Sequence, residues 1–411
     1  MNTHMNETPR GTRTRIVLVG RRNAGKSRLL NALAGQEVAV VSDVPGTTTD
    51  PVSKAMEMLP LGPVTLVDTA GLDEAEDSEL GGKRVRRTLD ALSGADVVVL
   101  VTCPTTGWGD WEQAVVAEAQ SRSLPFVPVW NKADEALPGD SARKTLQVLS
   151  ATGIAHVVSA ATGQGVDVLR SALAHLQLDD DTAPRRLLSD LLPEQDALVL
   201  LVAPIDSAAP KGRLILPQQQ AVREALDAHA LSLVVQPQEV PTALATLRRP
   251  PDLVVTDSQA FEQVAAAVPT TIPLTSFSVL FARLKGDLAT LAAGAAVVDQ
   301  LQDGDRILVA EACTHHRQDD DIGTVKIPRW LRAKTGKRLL FEHCAGNGWP
   351  EDLAAYALVV HCGACMLTRR EMLSRLETIR ACGVPVVNYG ILIAALKGIL
   401  PRALAGAGVH P

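Results

Sequence analysis

Gly20-Arg-Arg-Asn-Ala-Gly25-Lys26-Ser27 decides the fold of the N-terminal part of this chain. The stretch follows a short β-branched run at residues 15–19 and opens a helical pattern, so it reads as a loop joining a strand to a helix. In that setting the backbone N–H groups of the loop and of the helix N-terminus surround phosphate oxygens. Lys26 brings a point charge to the outer phosphates, and the Ser27 hydroxyl is placed for Mg²⁺. Asn23, Ala24, Gly25, Lys26 and Ser27 are therefore expected to bind a nucleotide. Taken alone, the loop suits ATP as well as GTP.

Reading outward narrows the choice. Asp68-Thr-Ala-Gly71 ends a third strand; Asp68 is expected to hold Mg²⁺ through water and the Gly71 N–H to meet a γ-phosphate. Asn131-Lys132-Ala-Asp134 ends a fifth strand. The Asp134 carboxylate, an acceptor only, matches the N1–H and 2-amino donors of guanine, which adenine lacks. Ser159-Ala160 ends a sixth strand and offers a backbone N–H to the guanine oxygen. Pro45-Gly-Thr-Thr-Thr-Asp50 lies between the first helix and the second strand, where one of Thr47, Thr48 or Thr49 reaches Mg²⁺; the middle one, Thr48, is the expected ligand. Five such elements, in order and each at a strand end, define a guanine-nucleotide site with Lys26, Thr48, Asp68 and Gly71 as its catalytic set.

The rest of the chain bounds the class. It has 411 residues, enough for two or three domains with their own cores. With 46% hydrophobic and 21% charged residues it is globular. A net charge of −6 with 3% aromatics argues against a broad nucleic-acid surface. The polar N-terminus is not a signal peptide, and no apolar run reaches the roughly 18–20 residues needed to span a bilayer. A soluble, cytoplasmic protein is expected, with no nucleic-acid or membrane partner. Short β-branched runs alternate with helical patterns throughout, which implies parallel sheets covered by helices. Residues 178–184 (LDDDTAP) read as a linker. Beyond it, strands are expected at 197–202, 231–235 and 253–255. A further alternation starts near Ile272, with strands at 306–310, 338–341, 357–360 and 384–387 and helices at 278–291 and 370–381.

The last third concentrates cysteine and histidine. Cys313-Thr-His315-His316 and His361-Cys362-Gly-Ala-Cys365 each follow a strand of what should be one parallel sheet, on the carboxyl rim where open α/β sheets place ligands. The Cys-x-x-Cys spacing lets one loop chelate one centre, and Cys313 supplies a third thiolate. Three soft thiolates suit an iron–sulfur cluster or zinc. His315, His316 and His361 compete for a fourth position. Cys344 falls outside the pattern and reads as structural, and Cys103 and Cys382 read as small buried hydrophobes.

Two resemblances follow from these motifs. Residues 1–178 resemble the translation-factor-related GTPases, especially the tRNA-modification branch. That implies slow hydrolysis, about 10⁻⁴ to 10⁻² per second, because Leu72 stands where Ras-like proteins carry a water-orienting glutamine. It also implies K⁺ activation, because Asn23 occupies the position of a potassium-holding asparagine. Cys-x-His, then residues 316–360, then His-Cys-x-x-Cys behind a GTPase domain is similar to the FeFe-hydrogenase maturation GTPases, the HydF family. This resemblance covers essentially the whole chain and implies three doubly wound α/β domains. They are a P-loop GTPase domain (1–178), a small parallel-sheet dimerisation domain (185–271) and an α/β iron–sulfur cluster-binding domain (272–411). It further implies GTP/GDP, Mg²⁺, K⁺ and a 4Fe-4S cluster on Cys313, Cys362 and Cys365 with an exchangeable fourth ligand. The role it implies is that of a homodimeric scaffold or carrier. Such a carrier receives the two-iron precursor of the hydrogenase H-cluster from radical S-adenosylmethionine maturases and delivers it to apo-hydrogenase. The competing reading is a zinc-containing tRNA- or ribosome-associated GTPase.

Overall fold

The computed structural model describes residues 10–35, 52–69, 92, 94–178, 186–205, 214–312, 321–346 and 348–409. They form two compact units, Met1–Ala183 and Pro184–Pro411. In the first, the elements run β1 (Thr14–Val19), α1 (Lys26–Ala34), β2 (Val52–Met58), β3 (Gly62–Asp68), β4 (Val97–Thr102), α2 (Asp110–Ser121), β5 (Phe126–Trp130), α3 (Asp140–Leu149), β6 (His156–Val157) and α4 (Val166–Ala174). The strands form one sheet in the order β2-β3-β1-β4-β5-β6.

Side-chain alternation explains the layering. Ile16 and Leu18 of β1 face a cluster with Leu29, Leu30 and Leu33 of α1, whereas Val17 and Val19 face a second cluster with Val98, Leu100, Val116 and Ala119. Both faces of the central strands are thus covered. That is why β4 reads as an unbroken apolar run, Val97–Thr102, with every residue buried. All pairs are parallel except β2 with β3. The link between those two strands, residues 59–61, is too short for a crossover and makes β2 an antiparallel edge.

The second unit continues with β7 (Leu198–Val202), α5 (Leu216–Asp227), β8 (Leu231–Val235), α6 (Val240–Thr246), β9 (Leu253–Thr256), α7 (Phe261–Ala267), β10 (Leu274–Ser276), α8 (Phe277–Lys285) and α9 (Leu288–Ala296). Then come β11 (Arg306–Glu311), α10 (Ile327–Thr335), β12 (Leu340–Ala345), β13 (Leu358–His361), α11 (Arg369–Ala381), β14 (Val386–Asn388), α12 (Tyr389–Leu396) and α13 (Leu400–Gly406). There are two four-stranded sheets, β10-β9-β7-β8 and β12-β11-β13-β14, parallel throughout. One hydrophobic core runs through both, joining Leu200 and Leu274 to Phe277, Leu280, Leu308, Val359 and Val386. Two helices press on strands at glycines. A Cβ on Gly294 of α9 would sit 1.9 Å from the Val386 carbonyl oxygen, and one on Gly406 of α13 would sit 2.4 Å from that of Leu274.

Several expectations change here. β10 lies beyond residue 271 and pairs with β9, so the second sheet extends past that point. The single helix expected over 278–291 is two helices. Gly286 takes an extended conformation, and the Asp287 carboxylate accepts the Thr290 N–H at 3.1 Å, starting α9 afresh. Cys103 is buried as expected, but Cys382 caps the exposed end of α11 and is itself exposed. Among the described residues no helix is long and apolar enough to cross a membrane.

Candidate functional site

The phosphate loop is shaped by close backbone contacts. A Cβ on Gly20 would meet the Val101 carbonyl oxygen at 2.4 Å, and one on Gly25 would meet Asn131 Nδ2 at 2.3 Å. Asn23 and Gly25 are left-handed, with φ of 61° and 87°, which curls the loop over the start of α1. Gly25 is the N-cap of α1 and makes no side-chain cap, so the first N–H groups of the helix face the loop mouth. Lys26 is buried and donates to the carbonyls of Gly20 (2.9 Å) and Arg21 (3.0 Å), bridging the loop.

Ser27 donates to Asp68 Oδ2 at 2.5 Å. Asp68 is fully buried, and its other oxygen has no partner among the described residues. Burial pushes this carboxyl up, against the opposing pull of Ser27 and Lys26. A buried, half-satisfied carboxylate beside a hydroxyl, at the head of a phosphate loop, is the hard-oxygen donor set that Mg²⁺ takes together with nucleotide phosphates.

Asn131 couples the base loop to the phosphate loop. It donates to the Ala24 carbonyl at 2.9 Å and accepts the Ala160 N–H at 3.0 Å. Lys132 follows in a left-handed conformation and pairs with Glu135 at 3.3 Å. The exposed Asp134 carboxyl is held below its ordinary range, chiefly by the Ser159 hydroxyl. A further tether has no counterpart in the sequence reading. The buried Glu112 accepts both Arg21 Nε (2.9 Å) and Arg21 Nη2 (3.1 Å), and also the Gly109 N–H (2.9 Å). Thr47, Thr48, Thr49, Gly71 and Leu72 lie outside the described residues.

The cysteine loop leaves β13 and enters α11, whose start is fixed by reciprocal bonds between Thr368 and Glu371. Between them Ala364 is left-handed, with φ 52°. Cys362 Sγ accepts the Ala312 N–H at 3.3 Å, and the Cys362 N–H goes to the Ala310 carbonyl at 2.9 Å. The residue before Cys313 therefore already touches the first thiol of the loop. Cys365 is exposed and Cys362 partly so. Cys313, His315 and His316 lie outside the described residues. Among the described residues no three His, Cys, Asp or Glu side chains gather as a metal-holding group. The two loop thiols are nevertheless soft donors of the kind an iron–sulfur cluster takes.

His361 is fully buried, with both ring nitrogens engaged: Nδ1 with the Cys362 carbonyl at 2.8 Å, Nε2 with Arg375 Nε at 2.8 Å. Burial and the Arg375 charge push it down to about 4. The neutral ring donating from Nδ1 and accepting at Nε2 satisfies both bonds. That arrangement leaves His361 no nitrogen for a metal. Two buried cations missed in the sequence close on the loop. Arg375 also donates to the Gly346 carbonyl (2.9 Å) and lies 4.3 Å from the centre of the Trp349 ring. Lys285, at the end of α8, donates to the carbonyls of Leu367 (2.8 Å), Cys365 (3.2 Å) and Ala364 (3.4 Å), and burial pushes it down to about 8. Arg375 had a readable signal, since it lies on the stripe Met372, Leu376, Ile379. Cys344, half-buried on β12, is level with Ala310, as is His361 from the other side.

A phosphate loop, a buried magnesium-type carboxylate and a bridged base loop on a six-stranded sheet define the first unit as a P-loop GTPase domain. Residues 15–132 match the 50S ribosome-binding GTPase family. Residues 187–286 match the hydrogen maturase F dimerization domain, and residues 289–406 the hydrogen maturase F tetramerization domain. The chain belongs to the hydrogen maturase F (HydF) family of hydrogenase maturation GTPases, whose association domains make it a self-associating protein. Similar curated proteins include the tRNA modification GTPase MnmE of Methylococcus capsulatus, 41% identical over 159 residues, covering 38% of this chain and 33% of that one. MnmE of Acidovorax is 38% identical over 170 residues, covering 39% and 35%. The chain thus spans about a third of the length of these relatives. Among solved structures, Aquifex aeolicus Era bound to GDP.AlF4⁻ is similar at 20% identity, covering 62% of this chain and 97% of that one, with a TM-score of 0.35.

Proposed function

We propose that this GTPase is a scaffold and carrier that holds a 4Fe-4S cluster on Cys313, Cys362 and Cys365. In this reading it receives the two-iron H-cluster precursor from radical S-adenosylmethionine maturases and delivers it to apo-FeFe-hydrogenase. The observation that carries the cluster assignment is the Ala312 N–H on Cys362 Sγ, which brings the chain to within one residue of Cys313 beside the Cys-x-x-Cys loop. When bound, the cluster supplies an iron position at which cargo can attach and detach. His315 and His316 are the remaining histidine candidates for that position, because both nitrogens of His361 are engaged. Lys26, Thr48, Asp68 and Gly71 carry hydrolysis, Ser27 and Thr48 the Mg²⁺, and Asn23 a K⁺ that accelerates an otherwise slow reaction. A three-part division belongs to this proposal, with the middle part carried past residue 271 to include β10, as does pairing through the middle segment. That pairing is supported by edge strand β8, on which Leu231 is 68% and Val234 44% exposed.

The test is the metal content of anaerobically purified chain. Iron with acid-labile sulfide in the native protein, lost in Cys362→Ser and Cys365→Ser while GTP hydrolysis persists, supports the reading. A Cys362→Ser protein that keeps its cluster and still activates apo-hydrogenase overturns it. The similarity to MnmE favours a second reading, a tRNA- or ribosome-associated zinc GTPase. Zinc without sulfide in the same measurement would select it.

A further inference from the structure

Arg375 is an expensive residue in its position. It is 8% exposed, yet no carboxylate among the described residues pairs with it, and its Nη2 is buried without an acceptor. A buried charge normally persists only when it is paired and hydrogen-bonded. Its other two nitrogens are used to orient it, Nε on His361 and Nη1 on the Gly346 carbonyl, and Trp349 holds one face of the guanidinium. His361 in turn is bonded to the carbonyl of Cys362. A fixed, planar cation is thus connected through one neutral ring to the first cysteine of the loop, with one N–H edge left over. An apolar residue at this point of the buried stripe would pack with less desolvation, so the charge calls for an anion that the described side chains do not supply. Burial disfavours the Arg375 charge, and a thiolate at Cys362 or Cys344 would favour it.

We propose that Arg375 is the counter-cation of the thiolate-held metal group on the cysteine loop, a positioning residue that stabilises its negative charge and sets its reduction potential. The proposal rests on the cluster reading above. A thiolate- and sulfide-rich cluster carries net negative charge and gains one more on reduction. A unit positive charge nearby favours the added electron, and Arg375, itself buried, is screened less than a surface cation would be. His361 has the role of aligning the guanidinium rather than ligating.

The test compares Arg375→Gln with Arg375→Lys in the full chain, reconstituted anaerobically with iron and sulfide. Both substitutes keep a polar head, and they differ in charge. Iron and sulfide are counted first, then the cluster is titrated against mediators with its electron paramagnetic resonance signal as readout. Arg375→Gln should load iron and show at least a tenfold fall in the reduced-to-oxidised ratio at fixed potential, which is about 59 mV for one electron. Arg375→Lys should lie between it and the native protein. Native potentials in both variants, equal shifts in both, or failure of both to load a cluster that the native chain loads would each overturn the counter-cation role. A native chain that binds no iron and sulfide would instead remove the cluster reading on which it rests.

Discussion

Asn131→Ala tests whether the nucleotide site is held together by a single side chain. Asn131 is buried and spans two loops, donating to Ala24 in the phosphate loop and accepting from Ala160 in the base loop. The substitution removes two well-formed bonds, each contributing about 0.5–1.5 kcal/mol net, and leaves the buried Ala24 carbonyl unpaired at about 1–3 kcal/mol. Allowing for partial compensation by water, the loss is about 2–4 kcal/mol. At about 1.4 kcal/mol per factor of ten, that is roughly 30- to 1000-fold in affinity. Because the bridge orders loops rather than core, most of the loss should appear in binding. GDP and GTP should weaken alike, since both use the base and the β-phosphate. The assay is titration of a fluorescent guanine nucleotide with competition by GDP and GTP, alongside thermal unfolding. Asn131→Asp keeps the acceptor for Ala160 but sets a carboxylate against the Ala24 carbonyl, so it should be at least as damaging. An Asn131→Ala protein that binds GDP within twofold of the native chain would refute the reasoning.

Asp134→Asn should weaken GTP strongly, because the N1–H and 2-amino donors of guanine lose their acceptor; equal native affinities for GTP and ATP would remove the guanine assignment. Hydrolysis in K⁺ should exceed that in Na⁺ at matched ionic strength, and Asn23→Ala should erase the difference while nucleotide binding persists; equal native rates in the two salts would end the cation hypothesis. Leu231→Lys on edge strand β8 should halve the mass seen by light scattering, since a charge on an edge blocks strand pairing, and an unchanged mass would move the interface elsewhere. Gly294→Ala should lower the unfolding free energy by about 1–3 kcal/mol or more, read as a lower denaturant midpoint, because its Cβ would lie 1.9 Å from the Val386 carbonyl oxygen; an unaltered midpoint would contradict that close approach.

Legibility followed burial and motif strength. β8 matches the strand expected at 231–235 because a short apolar run bounded by turns has few alternatives. The phosphate loop, Asp68 and Asn131 were readable because each residue type is demanded by ligand chemistry at a strand end. β10 was missed because three residues, Leu-Thr-Ser, carry no periodicity. The break at Gly286-Asp287 was visible as a glycine followed by a capping aspartate, but the apolar run across it dominated the reading. Cys382 sits in the turn after α11, one residue before the left-handed Gly383, and the buried run begins only at Val384. Arg375 carries a signal only in its place on the buried stripe of α11, and nothing local to either Arg375 or Lys285 says that a distant loop closes over it.

Those two cations also bear on how independent the cysteine loop is. Lys285 ends α8, within the segment matching the dimerization family, and its ammonium holds the carbonyls of Ala364, Cys365 and Leu367. In return Arg369, in the first turn of α11, donates to the carbonyls of Lys285 and Gly286 at 3.4 Å, at the C-terminal end of α8. Each element thus supplies a cation to carbonyls of the other, and the exchange straddles the boundary between the two family segments. A loop held this way takes its shape from the packing of α8 as well as from its own sheet. The same hydrophobic core joins both sheets. The association segment and the cysteine loop are, on this geometry, parts of one folded unit.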